Sequence, residues 1–210
     1  NDILVKNNIT HCASDDFSTL QVPYEVIIEC LQELYDNDLM QVSLYEQVNL
    51  PSKKLLLDYI AKGYHKKIYK GFKLGPLKLL SDGSLGGRTA YLNEPYEDDK
   101  STQGIKVFKD EELEELVYIA DSNGMDVAIH AIGDGMIDIV LNAIEKSLKR
   151  TNRLNHRHSI IHAQLANRRQ IKKMKELGVS VIVQPIFLNS DIPIIEKRIG
   201  KKRASESYLF

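Results

Sequence analysis

Three polar residues sit where an apolar strand would not ordinarily keep them. Lys78 lies in Gly-Pro-Leu-Lys-Leu-Leu, His130 ends Met-Asp-Val-Ala-Ile-His, and His162 ends Ser-Ile-Ile-His. Neutral imidazole is the commonest metal ligand, and a zinc site needs nitrogen and oxygen donors converging from several elements. One strand-end histidine is more often a hydrogen-bonded structural residue. Two on successive strands, at matching ends, bring the ligand reading level with the structural one. Lysine is almost never fully buried unless paired, and desolvation disfavours its charged form. A buried Lys78 would therefore offer an amine for base, Schiff-base or carbamate chemistry, whereas an outward-pointing one is an ordinary edge charge.

Other candidates are weaker. His156 and His158 form His-Arg-His but precede their strand, so they read as structural residues at its opposite end. His65 lies in a basic run, and His11 comes near the end of the first strand. Asp82 either orients a ligand from behind or starts a turn with Gly83. Asp134 and Asp191 read as helix caps, and Gln184, at the end of the last strand, is placed to contact substrate.

These residues need a scaffold of alternating short apolar runs and longer amphipathic segments, the pattern of repeated βα units and a parallel sheet. Strands are expected at 8–13, 39–47, 72–80, 125–131, 159–163 and 179–184. Helices are expected at 23–37, 51–62, 110–123, 134–150, 167–177 and 192–198. Pro23 and Pro51 suit first-turn positions, and Gly63, Gly124 and Gly178 suit helix stops. Six βα units fit an α/β fold that is a partial (β/α)8 TIM barrel, which needs eight strands and typically about 250 residues. An open doubly wound sheet fits as well. In a barrel, the C-terminal strand ends converge on the active site, where Lys78, His130 and His162 belong. Between Ser81 and Val107 there is no clear periodicity, although most βα loops run about 2–6 residues. That stretch opens Ser-Asp-Gly-Ser-Leu-Gly-Gly-Arg-Thr, as a binding loop or lid would.

The 210 residues suit one domain spanning 1–210, with 43% hydrophobic residues to build its core. A net charge of -1 gives no electrostatic reason to expect nucleic acid or an anionic membrane. Cys12 and Cys30 lack metal-type spacing and fit a reducing, cytoplasmic compartment. No run of about 18 apolar residues suggests a membrane span. The opening Asn-Asp-Ile-Leu-Val-Lys has neither an initiator Met nor signal-peptide order, and is expected to start in mid-protein.

Four stretches together resemble the amidohydrolase superfamily, specifically its YtcJ-like branch (amidohydrolase family 3), which includes N-substituted formamide deformylases. They are Leu-Lys-Leu-Leu-Ser-Asp-Gly-Ser-Leu-Gly-Gly-Arg-Thr-Ala, Ala-Ile-His-Ala-Ile-Gly-Asp-Gly, Ile-Ile-His-Ala-Gln-Leu and Val-Gln-Pro-Ile-Phe with Ser190-Asp191 after it. The similarity runs from about Asn8 to Phe210. It implies a barrel with zinc or another divalent metal, possibly as a binuclear centre, at the strand ends. Lys78 matches the family's carboxylated lysine, and His130 and His162 match its strand-five and strand-six histidines. The family's strand-one His-x-His and strand-eight Asp have no counterpart here, and Ile161 stands where many relatives have Glu.

The resemblance thus implies a metal-dependent hydrolase of an amide or other non-peptide C–N bond, with a small-molecule substrate. The cation would activate water and polarise a carbonyl. Asp82, Arg88 and Gln184 are the candidate substrate contacts, Arg88 for an acidic group. With an incomplete ligand set the chain alone is expected to be inactive. Its exposed barrel edges are expected to drive self-association. Two alternatives stand: a non-enzymatic regulatory protein of the exoenzyme-regulator kind, and an open α/β domain binding an anion or nucleotide at Gly133-Asp134-Gly135.

Overall fold

The computed structural model describes residues 1–20 and 22–208; Gln21, Leu209 and Phe210, which fall within the expected 1–210 domain, lie outside the described residues. The chain divides into two compact units, Asn1–Lys78 and a second running from Leu79 onward.

The first unit carries α1 (Asp2–Lys6), β1 (His11–Ser14), α2 (Asp16–Thr19), α3 (Tyr24–Asp36), β2 (Ser43–Asn49), α4 (Lys53–Ala61) and most of β3 (Phe72–Leu80). Its strands pair in parallel in the order β1–β2–β3. In α3 the buried residues are Tyr24, Ile27, Ile28, Leu31 and Tyr35, a stripe at helical spacing that packs inward. Tyr35 stacks on Phe72 with ring centroids 5.5 Å apart. Leu74 pairs with Glu46 and Leu77 with Val48, so β3 carries one extra residue at Gly75-Pro76. Such a bulge lets a strand accommodate a proline, which has no N–H for the ladder. A Cβ at Gly75 would fall 2.7 Å from the Tyr45 ring, which would have to move aside.

The second unit continues through an irregular connection into α5 (Asp110–Ser122), β4 (Val127–Ala131), α6 (Asp134–Thr151), β5 (Ser159–His162), α7 (Arg168–Leu177), β6 (Ser180–Ile182) and α8 (Leu188–Ser205). Here too the strands are parallel, in the order β4–β5–β6. The connection after β3 is not a solvated lid. Leu85, Ala90, Leu92 and Tyr96 join Ile132, Leu165, Ile195 and Ile199 in one buried cluster.

All six expected strands are present, with ends moved by up to a few residues. Pro51 lies outside its helix: Ser52 caps α4 by accepting from the Leu55 N–H at 3.3 Å. Pro23 likewise flanks α3. The expected helix at 192–198 extends over α8, with a kink at Gly200, whose φ of 77° ordinary residues avoid. Two short helices, α1 and α2, were not expected. Too short for a full apolar stripe, they leave no periodic signal in the sequence.

Candidate functional site

Past the end of β3, Ser81 donates from its N–H to the His130 carbonyl at 3.3 Å, and its hydroxyl bonds the same oxygen. The Asp82 side chain is fully buried. Its Oδ1 accepts from His130 Nδ1 (3.1 Å) and the Ile132 N–H (3.1 Å). Its Oδ2 accepts from the N–H groups of Tyr91 (3.0 Å) and Gly133 (2.9 Å). A carboxylate only accepts, so Nδ1 of His130 carries a proton, and in the neutral ring Nε2 presents a lone pair. An outer carboxylate fixes ring and tautomer of metal-binding histidines in this way.

His162 ends β5, which pairs with β4 so that Ala131 lies opposite His162. Its backbone φ is 76°, and Ala163 follows at 52°. Two successive left-handed non-glycine residues cost roughly 1–3 kcal/mol each and persist only where their surroundings over-determine them. The turn brings the His162 ring edge-to-face against His130, with centroids 4.6 Å apart and planes at 76°. The other side of His162 meets Phe187, with centroids 5.6 Å apart.

Lys78 belongs to the first unit. Its side chain is 9% exposed and faces Asp15, with Nζ 3.6 Å from Oδ2. Burial pushes its pKa below the usual lysine value, and the Asp15 charge opposes that shift. Asp15 sits on a turn held by Glu46, which accepts from the Ser14 hydroxyl and from the N–H groups of Asp16 (2.8 Å) and Phe17 (3.3 Å). Glu46 is fully buried, and burial pushes its carboxyl up to about 7. Sequence reasoning missed both Asp15 and Glu46. The available signals were Asp-Asp directly after the first strand and an acidic residue sharing buried positions with Leu44 and Val48.

Of the remaining candidates, Arg88 makes a two-point bond to Asp98 through Nε (3.1 Å) and Nη2 (3.0 Å). Arg198 of α8 grips the same carboxylate and donates to the Gly86 carbonyl at 3.1 Å. Gln184 is exposed, just ahead of the 3-10 turn Pro185–Phe187. His65 lies in the 3-10 turn Tyr64–Lys66. His11 begins β1 rather than lying near its end, and bonds Thr10.

Neither aspartate read as a cap holds that position. Gly133 is the N-cap of α6, and Asp134 accepts sideways from the Asn93 N–H at 3.1 Å. Asp191 lies inside α8, where burial removes it from solvent. The anion-binding reading of Gly133-Asp134-Gly135 also fails. The Gly133 N–H is held by Asp82, the Met136 N–H donates to Tyr91 O at 3.1 Å, and a Cβ on Gly133 would lie 2.0 Å from that same oxygen. These glycines admit a crossing backbone, which covers the helix start.

At the opposite end of β4 and β5, His158 is wholly buried. Its Nδ1 accepts from the Val127 N–H (3.2 Å), and its Nε2 donates to Asp121 (3.1 Å). Asp121 also accepts from Ser147 (2.8 Å), Thr151 (2.7 Å) and Arg153 (3.1 Å). His156 stacks on His158 at 4.5 Å and bonds Leu177 O at 3.0 Å.

His130 and His162 fit a divalent metal by donor chemistry, two imidazoles side by side with one nitrogen oriented by a carboxylate. Among the described residues no three His, Cys, Asp or Glu side chains gather to hold an ion. Among them, too, no helix is long and apolar enough to cross a membrane.

The chain belongs to the amidohydrolase family, whose pattern matches residues 8–210. It is 43% identical over 137 residues to YtcJ of Bacillus subtilis (strain 168), covering 65% of this chain and 25% of that protein. It is 36% identical over 138 residues to Protein LONG AFTER FAR-RED 3 of Arabidopsis thaliana, covering 65% of this chain and 24% of that one. An N-substituted formamide deformylase of Arthrobacter pascens is 30% identical over 86 residues, 41% of this chain and 16% of the enzyme. The chain thus spans about a quarter of the length of the first two of these relatives. The crystal structure of an uncharacterized metal-dependent hydrolase from Pyrococcus furiosus superposes with a TM-score of 0.75 at 34% identity, covering 86% of this chain and 36% of that one. The fold is α/β of the TIM-barrel type, of which this chain carries six parallel strands.

Proposed function

We propose that this chain is part of a metal-dependent hydrolase acting on an amide or other non-peptide C–N bond of a small molecule. The observation that carries the reading is the His130–His162 pair, with Asp82 presenting Nε2 of His130. His130, His162 and Lys78 would hold zinc or another divalent ion, in a mononuclear or binuclear centre. Such an ion supplies Lewis acidity and a nucleophile at neutral pH.

The chain's own residues have separable tasks. Asp82 fixes the His130 tautomer, and the left-handed turn at His162 and Ala163 sets the second ring. Lys78, shielded beside Asp15, would serve as the carboxylated lysine. That modification joins its neutral amine to carbon dioxide through a new N–C bond and releases one proton. Gln184 is exposed to meet substrate. Arg88 would have to exchange the Asp98 carboxylate for one on the substrate.

The relatives' family and the metal-dependent hydrolases of like fold support this reading; the match to an N-substituted formamide deformylase favours a C–N substrate. The test is hydrolysis of N-substituted amides by the longer protein carrying Lys78→Ala, His130→Ala or His162→Ala. Each variant should lose most of the metal-dependent turnover. Near-normal rates in the lysine variant and either histidine variant would overturn the assignment.

A further inference from the structure

The left-handed turn at His162 and Ala163 must be held by something, and the residue after it shows what. Gln164 is 2% exposed although it is polar, and Asp191, from the first turn of α8, is 8% exposed. Gln164 Nε2 donates to Asp191 Oδ2 at 2.7 Å and to the Tyr208 hydroxyl at 3.0 Å. The Tyr208 hydroxyl donates to the same Asp191 oxygen. The backbone joins in, with the Tyr208 N–H donating to Gln164 O at 2.8 Å. Both the side chain and the main chain of Gln164 are thus gripped by two residues that follow it by 27 and 44 positions.

On the near side of the turn, the Ala163 N–H donates to Ala131 O at 3.0 Å and the Leu165 N–H to Ile132 O at 3.1 Å. These bonds tie the backbone on either side of Gln164 to the end of β4, while its side chain and carbonyl are held by the C-terminal segment. Hydrogen bonds inside a protein strengthen one another and tie together the elements that carry them.

We infer that Asp191, Gln164 and Tyr208 form a latch by which the C-terminal segment holds the β5 turn and so aims the His162 ring at His130. They are positioning residues for the histidine pair and need not touch a ligand. The purpose of the latch rests on the reading of that pair as metal ligands; its geometry does not. An aspartate in a helix first turn ordinarily serves the helix, but this one spends its carboxylate on another element. Resetting His162 is thereby linked to undocking α8.

The experiment needs no metal and no substrate, so it stands apart from the hydrolase assignment. Nuclear Overhauser contacts are recorded between imidazole protons of His130 and His162, with the His156–His158 stack at the other strand ends as internal control. Wild type should show both. Gln164→Met, which keeps volume but removes the donors, should weaken the His130–His162 contact severalfold and leave the control unchanged. Tyr208→Phe, which keeps the Gln164–Asp191 bond, should retain most of the contact. An undiminished contact in Gln164→Met would overturn the latch. Should that variant unfold and lose both contacts, amide exchange in wild type decides. The Tyr208, Ala163 and Leu165 amides should open together. Rapid exchange at Tyr208 with Ala163 and Leu165 still protected would equally overturn the proposal.

Discussion

The second unit holds two histidine pairs at opposite ends of the same two strands, and they differ in which ring nitrogens the surrounding groups bind. The separations are nearly equal, 4.6 Å for His130–His162 and 4.5 Å for His156–His158. The tautomers are opposite. His158 accepts at Nδ1 and donates at Nε2, so both nitrogens are committed to the protein. His130 commits Nδ1 to Asp82, and its Nε2 faces outward from that bond. Proximity of histidines is therefore a poor guide to their role; the bonds made by each ring nitrogen tell His158 and His130 apart.

The contrast is sharpest in stability. Asp121 serves four side-chain donors, and Asp121→Ala would leave the buried His158 Nε2 without its acceptor and strip Arg153 of one of its two carboxylates. Removing one partner of such a buried group costs about 3–5 kcal/mol, and the midpoint of urea unfolding should fall accordingly. A loss below 1 kcal/mol would break the comparison, because the far pair would then not be structural.

Acid provides the next largest effect. Burial pushes the His158 pKa down to about 4, against about 6.5 in an unfolded chain. Between those values the unfolded chain binds the extra proton, so acidification favours unfolding. The contribution is complete above pH 6.5 and is lost as pH falls towards 4, to a limit of about 3 kcal/mol. Glu46, raised to about 7, gives a slope of opposite sign between about 4.5 and 7. The His158 share is therefore read as the difference between denaturant titrations of wild type and His158→Gln, with wild type losing more stability as pH falls from 6.5 towards 4.

The smallest effect is expected at the candidate site. His130→Ala leaves Asp82 with three backbone donors, so its cost in stability should stay near 1 kcal/mol. In the longer protein the same substitution should remove most turnover. A stability loss as large as that of Asp121→Ala would mean that His130 is structural too.

Much of this organisation was readable in the chain. Alternation of short apolar runs with amphipathic segments gave the strand order and parallel class, because strand and helix periods differ. Glycine and proline marked boundaries less well: a proline just outside a helix and one in its first turn look alike, as Pro51 shows. Lys78, His130 and His162 stood out because a polar residue ending an apolar run is costly unless it has a task. Glu46 had the same property, yet its partners are one hydroxyl and two backbone N–H groups of a turn 29–32 residues away, which no local pattern announces. The glycines before α6 were misread for a related reason. Their neighbour is Tyr91, far back in the chain.

The sequence by itself determined which residues are available for chemistry and which element carries each, since both follow from residue type and local period. Tertiary structure alone decided what each nitrogen and carboxylate is spent on. Hydrogen bonds such as Asp82 to His130, Asp121 to His158 and Gln164 to Asp191 join residues 27–48 positions apart. They depend on distances of a few ångströms and on angles, which exist only once the elements have packed.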